Sequence, residues 1–317
     1  MPIDPTLIQA IAELGVPAPL PSNDPEEQRE RALAYERAVY PRLGPAGPEL
    51  PVREHVVPVA GRPDVAVRLY YPREPAPDLR LPACLHFFGG AFVQGGLHHP
   101  SVAAMCALRA ARADVVIAAV SYALAPEHPF PTALEQGWAA LDWLMREAGS
   151  LGVDPGRIAI AGQSAGGNLA AALTQLNRDR ARHPLALQIL EVPGLDLTRG
   201  AGERVTDGIT EAELAPLERA VDWYVPRVED RPDPRVSPLL AKDFGGLPPA
   251  YIFTAEVDPL RDDGERYAAA LAGAGVPVTA MRLLGLPHEG GMYERVSGTA
   301  RVAQAAIAQA LRALHDL

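Results

Sequence analysis

The chain has 317 residues, a formal net charge of −10 and only two cysteines, about twice a typical domain length and enough for one α/β core with an insertion. The acid excess, with no basic stretch to offset it, excludes a surface for a phosphate backbone and so speaks against nucleic acid. No apolar run reaches about eighteen residues, and Met1-Pro2-Ile3-Asp4-Pro5 lacks the basic start and apolar core of a secretion signal, so a cytoplasmic protein without a membrane span is expected.

Along the chain, Ile8, Ile11 and Leu14 form an apolar stripe on a short helix. Asp24-Pro25-Glu26-Glu27 then supplies an N-cap, a proline at the first helical position and an acid three residues on, opening a helix through Tyr40. Strands are expected at Val52–Val59 and Val65–Tyr71, joined by Gly61-Arg62-Pro63-Asp64 as a hairpin at the sheet edge. Further strands are expected at Ala83–Phe87, Val115–Val120, Ile158–Ala161, Ala186–Val192, Ala250–Thr254 and Val278–Leu283. Helical patterns fall near Ser101–Ala113, Thr132–Ala148, Ala165–Arg178, Arg261–Ala274 and Ala300–Leu314. This alternation predicts an α/β fold with a mostly parallel eight-stranded sheet flanked by helices. The N-terminal helices and a stretch from Arg199 to Arg227 break the alternation. In that stretch Leu214, Leu217, Val221 and Tyr224 recur at helical spacing beside Trp223, and both segments read as parts of a lid.

Ser164 sits within Gly162-Gln163-Ser164-Ala165-Gly166-Gly167, between a strand and a helix. A side chain two positions before or after it would collide with the strand or the helix, so glycine is required, and the hydroxyl projects outward as a nucleophile. The Lys-Ser/Thr ending of a phosphate loop is missing. A serine needs a base to take its proton and an acid to orient the base. Asp258 follows the strand ending at Thr254 and precedes Pro259, which places it outside the next helix. Asp262 and Asp263 lie within that helix and read as a solvated first turn favoured by its dipole. His288 follows the last strand, whereas His55, His128, His183 and His315 do not follow a late strand. Phe88-Gly89-Gly90-Ala91-Phe92 follows the third strand. Gly90, Ala91 and Ala165 are therefore assigned as backbone N–H donors for an oxyanion, and Ala91 is expected to keep a negative φ because alanine resists the left-handed region.

Cys84 and Cys106 lack the spacing of metal or redox motifs and read as buried, reduced packing residues. His98 and His99 are adjacent and expected to point apart. His288-Glu289 has no second histidine at helical spacing, so no metal is assigned.

From about Val52 onward the chain resembles the hormone-sensitive-lipase-like branch of the α/β-hydrolases, the family IV bacterial esterases. The resemblance rests on the serine turn, Tyr122-Ala123-Leu124-Ala125-Pro126-Glu127-His128-Pro129-Phe130-Pro131, Val236-Ser237-Pro238-Leu239, Leu247-Pro248-Pro249-Ala250 and Asp258-Pro259-Leu260-Arg261-Asp262. It implies an α/β-hydrolase core over residues 51–198 and 228–317. A helical cap would be built from residues 1–50 and an insertion at 199–227. It also implies cofactor-free hydrolysis of small carboxylic esters with short to medium acyl chains, through an acyl-enzyme on Ser164 with His288 as base and Asp258 as its partner. The same three residues would serve a lactone, amide or carbonate. A noncatalytic ligand-binding protein on this scaffold would be expected to lack the serine or histidine, and a homo-oligomer is compatible with the sequence. Four departures stand out. Phe88-Gly89-Gly90-Ala91 replaces His-Gly-Gly-Gly, so packing must brace that loop, with His86 left as a strand residue. Gln163 replaces the acid beside the serine. Ser121 and Ala123 replace an Asp and an Arg, and Glu289-Gly290 replaces Gly-Phe after the histidine.

Overall fold

The computed structural model describes residues 3–76, 79–200 and 211–317, with the side chains of 211–213 outside that description. Helix α1 (Pro5–Leu14) starts at Asp4, whose carboxylate accepts from the Thr6 N–H, and ends at Gly15 in the left-handed region. Its inward face is set by Leu7, fully buried, with Ile11 and Leu14 packed beside it, while Ile8 is 50% exposed. The buried face is therefore rotated by one residue from the expected stripe. Helix α2 (Pro25–Leu43) opens as the sequence indicates, Asp24 accepting from the N–H groups of Glu26 and Glu27. It runs three residues beyond Tyr40.

The eight expected strands all form: β1 (Val52–Val57), β2 (Val65–Tyr70), β3 (Leu81–Phe87), β4 (Val116–Ser121), β5 (Val153–Gln163), β6 (Leu187–Glu191), β7 (Ala250–Val257) and β8 (Val278–Pro287). They make one sheet in the order β1-β2-β4-β3-β5-β6-β7-β8. β1 pairs antiparallel with β2 as an edge hairpin, and β2 pairs antiparallel with β4. Every later pairing is parallel. β3 is buried along its whole length, as a strand covered on both faces must be.

The connecting helices are α3 (Pro100–Ala113), α4 (Thr132–Glu147), α5 (Ala165–Arg180), α7 (Arg261–Gly273) and α8 (Gly298–Arg312), with α6 (Glu211–Tyr224) in the irregular stretch. Expected positions 201–210 lie outside the described residues. On α6, Leu214 and Tyr224 are buried, and the Tyr224 ring stacks on Phe92 with centroids 3.8 Å apart. Cys84 and Cys106 are buried free thiols, and burial pushes each up to about 12. Among the described residues no helix is long and apolar enough to cross a membrane.

Candidate active site

The parallel part of the sheet brings the ends of β3, β5, β7 and β8 to one edge, the edge where such sheets present ligand-binding groups. Residues 88–92 follow β3, Ser164 follows β5, Asp258 follows β7 and His288 follows β8.

Between β5 and α5 the chain reverses so sharply that Ser164 takes φ 53° and ψ −117°, a strained conformation for a residue with a side chain. The neighbouring glycines are sterically required. A Cβ on Gly162 would sit 2.1 Å from the Gly166 carbonyl oxygen, and one on Gly166 would sit 2.2 Å from that of Phe87. The Ser164 N–H donates to the Glu191 carbonyl at 2.8 Å. Asn168, on the first turn of α5, donates to the carbonyls of Gly194 and Val236 and so ties the helix to the loops beyond β6.

Ser164, Asp258 and His288 come together. His288 Nε2 lies 2.8 Å from Ser164 Oγ, and His288 Nδ1 lies 2.8 Å from Asp258 Oδ2. Asp258 is fully buried, and its other oxygen accepts from the Leu260 N–H at 2.8 Å, which fixes the carboxylate plane. A carboxylate at Nδ1 favours the tautomer with its proton there, leaving Nε2 to accept from the serine hydroxyl. Burial pulls the His288 imidazole down, but the charge and hydrogen bond of Asp258, with the charge of Glu289, hold it above its ordinary value.

The turn after β3 is built differently from expectation. Ala91 has φ 52° and Phe92 φ 67°, both left-handed, and Gly90 has φ 129°. The expected negative φ at Ala91 is thus incorrect. The turn closes through Val93 and Gln94 N–H groups on the Gly90 carbonyl. Phe92 is held by its stack on Tyr224 and by the Ala125 N–H on its carbonyl. These contacts offset a left-handed cost of about 1–2 kcal/mol per residue. Among the described residues the backbone N–H groups of Gly90, Ala91 and Ala165 have no protein acceptor. Packing braces the loop as Phe88 requires: its ring stacks on Tyr122 at 4.2 Å, and the Tyr122 hydroxyl donates to the Phe88 carbonyl at 2.8 Å.

Two cavities meet at Ser164. The smaller, about 280 Å³, runs past Leu197, Arg199 and Arg231. The larger, about 500 Å³, lies on the His288 side against α2 and α3. Ala91, Leu214, Leu217 and Leu260 border both. On the larger wall, burial raises the Glu36 carboxyl, but hydrogen bonds from His99 and Ser101 win and hold it below the usual range. His99 Nδ1 lies 2.6 Å from Glu36 Oε2, and the Ser101 N–H donates to Oε1 at 2.7 Å. Glu289 presents accessible surface to the same cavity while protein encloses it. That enclosure raises its carboxyl, His288 draws it back, and Glu36 raises it further.

The other expected assignments are accounted for. His86 is buried in β3, and burial together with Arg109 pulls it down to about 3, so it is neutral. His183 faces Asp142, and His315 faces the Asp114 carbonyl. Glu256, the acid two residues before Asp258 at the end of β7, accepts from the Gly285 N–H. The rings of His98 and His99 lie 5.0 Å apart instead of diverging, because the chain turns here into α3. Among the described residues no group of His, Cys, Asp or Glu could hold a metal ion.

Asp262 is half-exposed beside Arg261, as a first-turn acid should be. Asp263 is not solvated: it is fully buried, accepts from the N–H groups of Leu195 and Asp196, and pairs with Arg199. The loop after β6 folds over it, which overrides the helix-dipole reading. A second buried link escaped sequence reasoning. Arg109 of α3 donates to the Glu191 carboxylate at 2.7 Å and to Gln304 of α8 at 3.0 Å, and the Gln304 amide donates to the Gly291 carbonyl. The strand behind the serine is thereby connected to the loop that carries His288.

Comparison with known proteins agrees with this fold. The α/β-hydrolase fold family matches residues 84–291. The carboxylesterase NlhH of Mycobacterium tuberculosis is 41% identical over 241 residues, spanning 73% of this chain and 72% of that protein. The esterase LipI of the same organism is 36% identical over 306 residues, 90% of this chain and 87% of that protein. The solved structure of a hyperthermophilic esterase from the archaeon Pyrobaculum calidifontis superposes with a TM-score of 0.90 at 33% identity, covering 100% of both chains.

Proposed function

The chain belongs to the hormone-sensitive-lipase-like family of α/β-hydrolases, and from that premise we propose that it is a serine carboxylesterase acting on small esters of short to medium acyl length. Ser164 Oγ attacks the ester carbonyl while its proton passes to His288 Nε2. The tetrahedral oxyanion is received by the N–H groups of Gly90, Ala91 and Ala165. Collapse expels the alcohol, which takes the proton from His288, and leaves an acyl group on Ser164. Water, deprotonated by His288, then attacks the acyl carbonyl, and collapse returns that proton to Ser164 Oγ and releases the acid. Asp258 keeps the imidazole oriented and stabilises its charged form.

The observation that carries this reading is the unbroken relay of two 2.8 Å contacts from Asp258 through His288 to Ser164. Cavities of about 280 and 500 Å³ on either side of the serine suit small substrates, and the esterase names of its relatives point the same way. The test is Ser164→Ala assayed on nitrophenyl esters, beside organophosphate labelling of the unaltered protein. A loss of turnover by several orders of magnitude is expected, with the label mapped to Ser164. Turnover near the unaltered level in a folded Ser164→Ala variant, or a label elsewhere, overturns the assignment.

A further inference from the structure

Ester chemistry at Ser164 does not account for the composition of the larger cavity. Two carboxyl side chains face it, Glu36 from α2 and Glu289 beside His288, together with Tyr35, Tyr40 and Tyr293. Among the described residues no lysine or arginine lines it. The smaller cavity differs, since Arg199 and Arg231 stand on its wall with Glu218 and Asp222. An alkyl occupant is costly here, because it takes water from Glu289, whose side chain keeps accessible surface, and gives that charge nothing in return. A cation reverses that balance, and aromatic rings add attraction through their negative faces.

Glu36 is committed: both its oxygens are engaged, by His99 and by the Ser101 N–H. Glu289 faces His288, Glu36 and Tyr293, and among the described residues the cavity wall beside it carries no guanidinium or ammonium. Two like charges face one cavity, and a positive group placed between them is attracted by both. The site is the cavity that already opens on Ser164, and the carboxylates only determine what that cavity prefers.

We propose that the larger cavity receives the positively charged part of the substrate, an ammonium or quaternary ammonium group carried on the ester, and that Glu289 is the residue that selects it. This inference rests on the serine esterase reading above. The selecting contact lies beside the base, so the cation sits a short chain from the scissile carbonyl.

The test uses two pairs of esters, each a cationic compound and its neutral isostere with carbon in place of the quaternary nitrogen. One pair carries the charge on the alcohol, butyrylcholine being its cationic member. The other carries it on the acyl group, as the nitrophenyl ester of trimethylammoniobutanoate. In at least one pair kcat/KM is expected to favour the cation by about tenfold, the order that one carboxylate in close contact supplies. The responding pair identifies the half of the ester that enters. Glu289→Gln is expected to bring that ratio within about twofold of unity, and Glu289→Asp to keep the preference. A ratio of about one or less in both pairs overturns the inference, and this needs no variant. A cation preference that survives in Glu289→Gln overturns the role of Glu289. If no member of either pair is hydrolysed, the esterase reading falls with it. If the esters are hydrolysed without cation preference, only this inference falls.

Discussion

The hydroxyl of Tyr122 donates to the carbonyl of Phe88 while the two rings stack, so one side chain holds both the backbone and the side chain of the residue preceding the Gly89-Gly90-Ala91 turn. Tyr122→Phe keeps the stack and removes the hydrogen bond. Folding stability should fall by about 1 kcal/mol, and kcat by about tenfold with KM little changed, since oxyanion donors act most in the transition state. Steady-state kinetics with a nitrophenyl ester decides it. A kcat equal to that of the unaltered protein would show that the stack alone aligns the turn.

His288 can accept the serine proton only when neutral. Burial lowers its pKa, Asp258 and Glu289 raise it, and the net displacement is upward from 6.5. Activity is therefore lost as pH falls through a value above 6.5, and the acid limb of kcat/KM on a neutral ester should have its midpoint there. Glu289→Gln deletes one of the raising charges and should move that limb to lower pH. An acid limb that stays in place or moves upward would contradict the electrostatic coupling between Glu289 and His288.

Ala91 holds a left-handed conformation that glycine adopts freely. Ala91→Gly relieves a strain of about 1–2 kcal/mol against an added unfolded-state entropy of roughly 0.5–1 kcal/mol. The variant should match or exceed the original in stability by up to about 1.5 kcal/mol, and it should retain activity because the N–H remains. Urea unfolding midpoints together with kcat provide the comparison. Destabilisation beyond about 1 kcal/mol would mean that the Ala91 methyl contributes packing that outweighs its strain.

The adjacent acids Asp262 and Asp263 should behave as opposites. Asp263→Ala leaves two buried N–H groups without that acceptor and breaks the pair with Arg199, a loss of about 3 kcal/mol or more. Asp262→Ala removes a half-exposed pair with Arg261 and should change stability by about 0.5 kcal/mol or less. Denaturant unfolding of the two variants side by side is the check, and equal losses would refute the distinction.

The serine turn was legible because its glycines answer a local steric demand, visible in six consecutive residues. Asp258 and His288 were legible from their order and from their positions just past strands. Strand existence followed from apolar runs, but the placement of β4 between β2 and β3 did not, because lateral order depends on which faces pack. The conformation of Ala91 was misread for a similar reason. Its intrinsic preference is local, while the Phe92 stack that overrides it comes from Tyr224, far along the chain. The burial of Asp263 depends on N–H groups 67 and 68 residues away. The pairing of Glu36 with His99 joins helices separated by the edge hairpin and by β3. Such partners have no signature in the spacing of one sequence.

Ala91, Leu214, Leu217 and Leu260 stand as a partition with Ser164 at its rim, and the spaces they divide are unequal in size and charge. An ester bound with its carbonyl at that rim would lay one arm to each side. The first cleavage would then free the alcohol in one room while the acyl group, still bonded to Ser164, waits in the other for water.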